Sequence, residues 1–350
     1  MRARLLARNL GTMAIHLPAD CTWLLDFQQG VIARWQAQAI GLSPALIDTQ
    51  LRQGRWQPLY RGVYAAYTGP PPRESVRWAG LLRAGPGAVL SHHTAAELDG
   101  LTNELGEVIH VTVGHDRRVR LSGEERRSVA PPIVFHRTGR LDAIRHPART
   151  PARTRIEETI LDLTELSATF DDVLSWLCKG CGRRLVTAQL IHAAASRRGR
   201  VRWRDDILGA LPLIADGVHS PLEYRYVHGV ERAHGLPTAE RQSRRSTASP
   251  SPRSRYLDSH YRVFGVVAEL DGQADHRVED RWKDIRRDNA NATSGIVTLR
   301  FNWADVTRRP CEVASDVAEA LQVRGWQGQP RPCGPLCSAR FVNGETRQAY

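Results

Sequence analysis

The tightest constraint on this chain is the run Val266-Val267-Ala268-Glu269-Leu270-Asp271-Gly272. A strand sends alternate side chains to opposite faces, so Val267, Glu269 and Asp271 leave one face while Val266, Ala268 and Leu270 leave the other. The two acids therefore sit side by side. Tyr256-Leu257-Asp258 reads as a preceding strand, and the polar stretch Ser259-His260-Tyr261-Arg262 as a hairpin turn that brings Asp258 laterally against Glu269. Gathered carboxylates repel one another, and a hard divalent cation held by one or two of them plus waters relieves the repulsion. The plainer reading is a turn in which an acid beside glycine caps the next backbone groups.

Asp258, then Glu269-Leu270-Asp271-Gly272, then His276, then Arg287-Asp288-Asn289 together resemble the DUF559 domain. That family is similar in fold to the very-short-patch-repair (Vsr) endonucleases of the PD-(D/E)XK nuclease superfamily, and the resemblance covers residues 217–326. Glu223 would match the acid on the first helix of that fold, with Pro221 at the first helical position and Ser220 as its cap. The resemblance implies Mg²⁺ (or Mn²⁺) between Asp258 and Glu269, joined by the backbone carbonyl of Leu270, and hydrolysis of a DNA phosphodiester. Glu223 would hold an outer-shell water and His276 would act as base or proton relay. Arg287 would stabilise charge on the phosphate, and Asp288 would orient His276 or Arg287. The superfamily usually has a lysine two residues after the second acid; this chain has Asp271 there.

Charge points to the same partner class. The formal net charge is +12, which favours a polyanion. Lys179 and Lys283 are the only lysines, so the positive charge is almost all arginine, the residue suited to bidentate phosphate contacts. The apolar residues after Arg2, Arg4 and Arg8 are interrupted by Asn9, Gly11, His16, Pro18 and Asp20, which fits neither a signal peptide nor a transmembrane helix. Six cysteines in 350 residues are no disulfide scaffold, and a cytoplasmic protein is expected.

Towards the amino terminus, residues 23–29, 33–40 and 44–51 read as short helices, the last capped by Ser43 and opened by Pro44. Residues 52–64 read as two short strands turned at Arg61-Gly62. This order is that of a winged helix-turn-helix and resembles the amino-terminal domain of AbiEi-type antitoxins. On that resemblance Ser43, Gln50, Arg52, Arg55, Trp56 and Arg61 would meet DNA. The alternative makes Trp56, Leu59, Tyr60 and Val63 the core of a small domain. Gly69-Pro70-Pro71-Pro72 is a stiff joint to an α/β segment that also resembles AbiEi-type proteins. In it, the spacing of His92, His93, His110 and His136 matches no standard ligand pattern, so capping and polar contacts are expected of them. A helical connector follows and ends in Arg197-Arg198-Gly199-Arg200-Val201-Arg202-Trp203-Arg204. Arg198, Arg200, Arg202 and Trp203 could track phosphates and stack on bases, or form a solvated helix end. Residues 242–255 read as a basic loop that orders on nucleic acid.

Cys178-Lys179-Gly180-Cys181 is a CxxC pair, while Cys311, Cys333 and Cys337 lie near the carboxyl terminus. Structural zinc usually comes with closely paired knuckles, so zinc at Cys311, Cys333 and Cys337 is kept as a secondary reading.

The expectation is thus a multidomain α/β (α+β) chain: a winged helix-turn-helix over 1–68, an α/β segment over 69–150, a helical connector over 151–216, a Vsr-like restriction-endonuclease fold over 217–326 and a cysteine-containing tail over 327–350. It would be a DNA-binding, Mg²⁺-dependent endonuclease. The alternative is a non-catalytic DNA-binding regulator or antitoxin of a type IV toxin–antitoxin system that keeps the nuclease-like fold as a scaffold. Its partners would be DNA and a toxin gene product or a second copy of the chain, with no membrane.

Overall fold

The structure is a computed structural model that describes residues 17–119, 130–244, 256–271 and 291–339. It is a mixed α/β protein with three small sheets among the described residues. It divides into two compact units, Met1–Leu163 and Thr164–Tyr350. No helix among the described residues is long and apolar enough to cross a membrane.

The first unit opens with α1 (Ala19–Phe27), β1 (Val31–Ala33), α2 (Arg34–Ala39), α3 (Pro44–Arg52), β2 (Gln57–Tyr60) and β3 (Val63–Ala65). Ser43 caps α3 by accepting from the Leu46 N–H at 3.2 Å, and Pro44 takes the first turn. β3 pairs antiparallel with both β1 and β2, giving the order β1-β3-β2. Ile32, Ala37, Leu42, Ile47, Trp56 and Tyr64 close a core between helices and ribbon. After α4 (Arg73–Ala84), the strands β4 (Val89–Leu90), β5 (Ile109–Gly114) and β6 (Ile133–Thr138) form a second sheet, with α5 (His92–Leu98) between β4 and β5. α6 (Leu141–Ile144) and α7 (Ile156–Leu166) follow.

The second unit carries α8 (Phe170–Gly182), α9 (Ala188–Arg197) and α10 (Arg204–Ala215). α10 falls within the span expected as a helical connector, although the arginine run and Pro212 hide its start and period. Pro212 forfeits one backbone hydrogen bond, and burial of Ile207, Leu211 and Ile214 offsets that loss. Next come α11 (Pro221–Tyr226), a π-helical turn (Val227–Arg232), β7 (Glu240–Arg244), β8 (Tyr256–Tyr261), β9 (Val266–Asp271), β10 (Val297–Asn302), α12 (Trp303–Arg308) and α13 (Pro310–Val323). The sheet order is β10-β9-β8-β7, with β9 and β10 parallel and the other pairs antiparallel. Val266, Ala268 and Leu270 turn into the core against Tyr226, Val230, Val313, Val317 and Leu321, as the alternation of β9 requires.

Two local expectations are corrected. The β8–β9 hairpin turns at Arg262–Gly265, not at 259–262; Gly265 takes the left-handed conformation there (φ 62°) and Ser259–Tyr261 belong to the strand. Of residues 242–255, expected as a basic loop, Gln242, Ser243 and Arg244 belong to β7, where Ser243 and Arg244 pair with Leu257 and Tyr256; 245–255 lie outside the described residues. A polar edge strand carries no apolar alternation by which to recognise it.

Candidate active site

Two acids lie on neighbouring strands of the sheet in the second unit, and a third, on α11, is coupled to one of them. Glu223 sits in the first turn of α11, where the Ser220 hydroxyl accepts from its N–H at 3.2 Å and donates to its Oε1 at 2.9 Å. The His219 N–H reaches its Oε2 at 3.0 Å. The β8–β9 ladder pairs Ser259 with Ala268, and one further step sets Asp258 opposite Glu269. Residues directly opposite in a ladder project from the same face. Asp258 is anchored there by the Leu270 N–H, which donates to its carboxylate at 2.9 Å. Glu223 and Glu269 are buried, whereas Asp258 is half-buried. Burial, reinforced by the charge of Asp258, pushes the Glu223 carboxyl up to about 7. Glu223 and Asp258 are thus electrostatically coupled.

Two polar neighbours escaped the sequence reading. Gln242 on β7 lies between residues paired with Ser259 and Leu257, adopts a positive φ of 47° and points its amide at Glu223 from 3.5 Å. Arg300 on β10 is the ladder partner of Glu269 and holds Asp271 at 3.2 Å. Both come from strands distant in sequence, so no local spacing signals them. His276, Arg287 and Asp288 lie outside the described residues.

Behind the acids runs a second polar network. Glu231, in the π-helical turn, pairs with Arg241 of β7 and accepts from the Tyr261 hydroxyl at 3.3 Å. Tyr226 and Tyr261 share a hydrogen bond of 2.8 Å, and Arg241 donates to the Ser259 hydroxyl at 2.6 Å. Each buried polar group named here has a partner, which avoids the cost of leaving it unsatisfied.

The expected DNA-contacting residues divide. Ser43, Arg52 and Arg61 are exposed and Arg55 half-buried. Gln50 is only 4% exposed and Trp56 likewise 4%, so both side chains belong to the interior of the first unit; Trp56 packs on Tyr64. In the second unit Arg200 is exposed and Arg198 half-buried. Arg202 donates to the Ser167 carbonyl at 2.9 Å and lies over the Trp203 ring. Trp203 is itself half-buried and meets Phe170, so its ring is already partly covered.

Two groups of side chains among the described residues bring one ligand atom each within 4.8 Å of one another and could hold a metal ion: His234, Cys311, Cys333 and Cys337, and His92, His110 and His136. The Glu223, Asp258 and Glu269 set is not one of them. His92, His110 and His136, expected from their spacing to make capping and polar contacts, meet because α5, β5 and β6 each bring one of them; His234, which follows the π-helical turn, carries no spacing signal. In the histidine group His110 Nδ1 lies 2.9 Å from His136 Nε2, and the His92 and His136 rings stack with centroids 3.6 Å apart. Cys178 and Cys181 stay apart from both groups on α8, and burial raises both thiols.

No protein-family model and no curated protein matches this chain. The acid end of β8 and β9 offers carboxylate oxygens, one backbone-anchored acid, one acid poised to carry a proton near neutrality, and a guanidinium one strand away. Such a set suits a hard divalent cation that keeps several waters, bound through one or two carboxylates.

Proposed function

We propose that this protein is a DNA-binding, metal-dependent endonuclease of the PD-(D/E)XK type, with Mg²⁺ or Mn²⁺ at Asp258 and Glu269 and zinc confined to the separate cysteine cluster. The observation that carries this reading is Asp258, set opposite Glu269 across the β8–β9 ladder, coupled to the charge of Glu223 and fastened to the Leu270 N–H, on an α-β-β-β-(…)-β arrangement. Clustered carboxylates are costly for a fold that does not use them. The cation would polarise the scissile phosphate and lower the pKa of an attacking water. Glu223, with its raised pKa, would hold an outer-shell water and carry its proton. Arg300 would supply, from the neighbouring strand, the positive charge that the superfamily's lysine usually supplies, and so stabilise charge on the phosphate. His276, Arg287 and Asp288 keep the roles that the DUF559 resemblance implies.

The first unit is proposed to bind DNA as a winged helix-turn-helix. The order helix, strand, helix, helix, strand, strand with β3 between β1 and β2 supports this. Ser43, Arg52, Arg55 and Arg61 would make its contacts, mainly to phosphates.

The rival is a regulator or antitoxin that has kept the nuclease-like fold without its chemistry. Asp271 at the lysine position, neutralised by Arg300, is what favours it. Supercoiled-plasmid cleavage with Mg²⁺ or Mn²⁺ separates the two. The nuclease nicks plasmid only with metal, and Asp258→Ala and Glu269→Ala each abolish nicking while DNA binding in a gel survives. An intact plasmid under wild-type protein that still shifts DNA would sink the nuclease and leave the regulator.

A further inference from the structure

We propose that His234, Cys311, Cys333 and Cys337 form a structural zinc site that fastens the carboxyl-terminal segment to the core of the second unit. The distances describe a coordination polyhedron. Cys311 and Cys333 Sγ are 3.6 Å apart, Cys311 and Cys337 Sγ 3.8 Å, and Cys337 Sγ lies 3.7 Å from His234 Nε2. Zinc–sulfur bonds of about 2.3 Å arranged tetrahedrally give ligand–ligand edges of about 3.8 Å. A disulfide would bring two of these sulfurs to about 2.05 Å and leave the third cysteine and the histidine unaccounted for.

The donors choose the metal. Three thiolates and one imidazole are soft and borderline ligands that favour zinc over the hard ions suited to carboxylates. Four protein ligands close the coordination sphere, which is the pattern of a structural rather than a catalytic site. His234 is already oriented: its Nδ1 faces the Val230 carbonyl at 3.0 Å, which fixes the tautomer and leaves Nε2 directed at the cysteines.

The fold supplies a reason for the site. Residues 331–339 contain no helix or strand, and Leu336 is 97% exposed, so apolar burial does little to hold this segment. The Arg331 N–H donates to the His234 carbonyl at 2.8 Å, and the Cys337 N–H to the Gly334 carbonyl at 3.1 Å, shaping a turn that presents Cys333 and Cys337 together. Cys311 enters from the first turn of α13. One ion would therefore join the end of the π-helical turn, the start of α13 and the terminal segment.

The test uses the full-length chain purified after growth in zinc-supplemented medium. Metal analysis should find one zinc per chain, and Co²⁺ exchanged into the site should show thiolate-to-cobalt charge transfer with the intense visible bands of tetrahedral cobalt. Cys333→Ser, at an exposed position, removes a direct ligand and should weaken zinc by more than the about 10- to 100-fold lost with an outer-shell partner, whereas the Cys178→Ser/Cys181→Ser double variant should retain it. Three results would each overturn the proposal: a metal-free chain whose cobalt spectrum lacks thiolate bands, full zinc retention in Cys333→Ser, or a Cys311–Cys333 disulfide by mass. The cobalt spectrum is read on the unsubstituted chain, so a variant that fails to fold does not blunt the test.

Discussion

Arg300 on β10 is the ladder partner of Glu269 and holds the Asp271 carboxylate at 3.2 Å. A cation thus reaches the acid end of β9 from the neighbouring strand, and Asp271 fixes its direction. If the site cleaves DNA, Arg300→Ala should lower the rate about 100-fold or more, the usual cost of removing a charge-stabilising donor. Arg300→Lys should recover part of it. Plasmid-nicking rates at saturating Mg²⁺ check both, and an unchanged rate in Arg300→Ala would remove Arg300 from the mechanism.

Glu223 predicts a pH signature that needs no catalysis. Its carboxyl is raised from 4.5 to about 7, chiefly by burial and then by the charge of Asp258. Across that window the folded, metal-free chain holds a proton that the unfolded chain has released. The resulting stability is fully present below pH 4.5 and is lost as pH rises through 7. Urea titrations at several pH values should show this decline in the wild type and a flatter profile in Glu223→Gln. In the nuclease assay the same variant should lose about 10- to 100-fold, as expected for an outer-shell partner.

The Glu231–Arg241 pair predicts a stability defect. Both side chains are nearly buried, at 2% and 7% exposure. Arg241→Ala would leave the Glu231 carboxylate buried without its cation, at a cost of about 3–5 kcal/mol. Adding Glu231→Gln to that variant should restore part of the loss. Equilibrium denaturation of the two variants measures the difference, and additive losses would argue against the pairing.

His110 and His136 predict acid sensitivity in the first unit. Burial, joined at His110 by the charge of His136, lowers both imidazoles to about 4. With His110 Nδ1 and His136 Nε2 at 2.9 Å, the folded pair is neutral and shares one proton. The unfolded chain binds protons first, so stability is lost as pH falls from about 6.5 to about 4. His136→Gln should narrow that loss in thermal melts recorded over the same range. A wild type indifferent to pH there would contradict the neutral pair.

Legibility in the sequence followed the range of the signal. Asp258 and Glu269 could be read because period-two alternation and a short hairpin are local rules, even though the turn fell three residues later than expected. Ser220, Pro221 and Glu223 were readable as a helix start for the same reason. Gln242, Arg300 and His234 were not, since each reaches its neighbours through strand order or chain reversal, which no spacing encodes. Gln50 and Trp56 show the opposite failure: polar or amphipathic side chains on a short helix and ribbon look available to a partner, yet the small core of the first unit claims both.

The helix that carries Glu223 in its first turn does not keep one winding. From Val227 to Arg232 it widens into a π turn; Glu231 emerges from that wider coil and His234 follows it. An α-helix advances about 100° per residue, so removing a single residue there would swing Glu231 off Arg241 and His234 away from the cysteines while Glu223 stayed where it is. The segment is a phase adjuster between the two ends of one helix. Its length, more than the identity of any residue in it, keeps the acid end and the cysteine end in step.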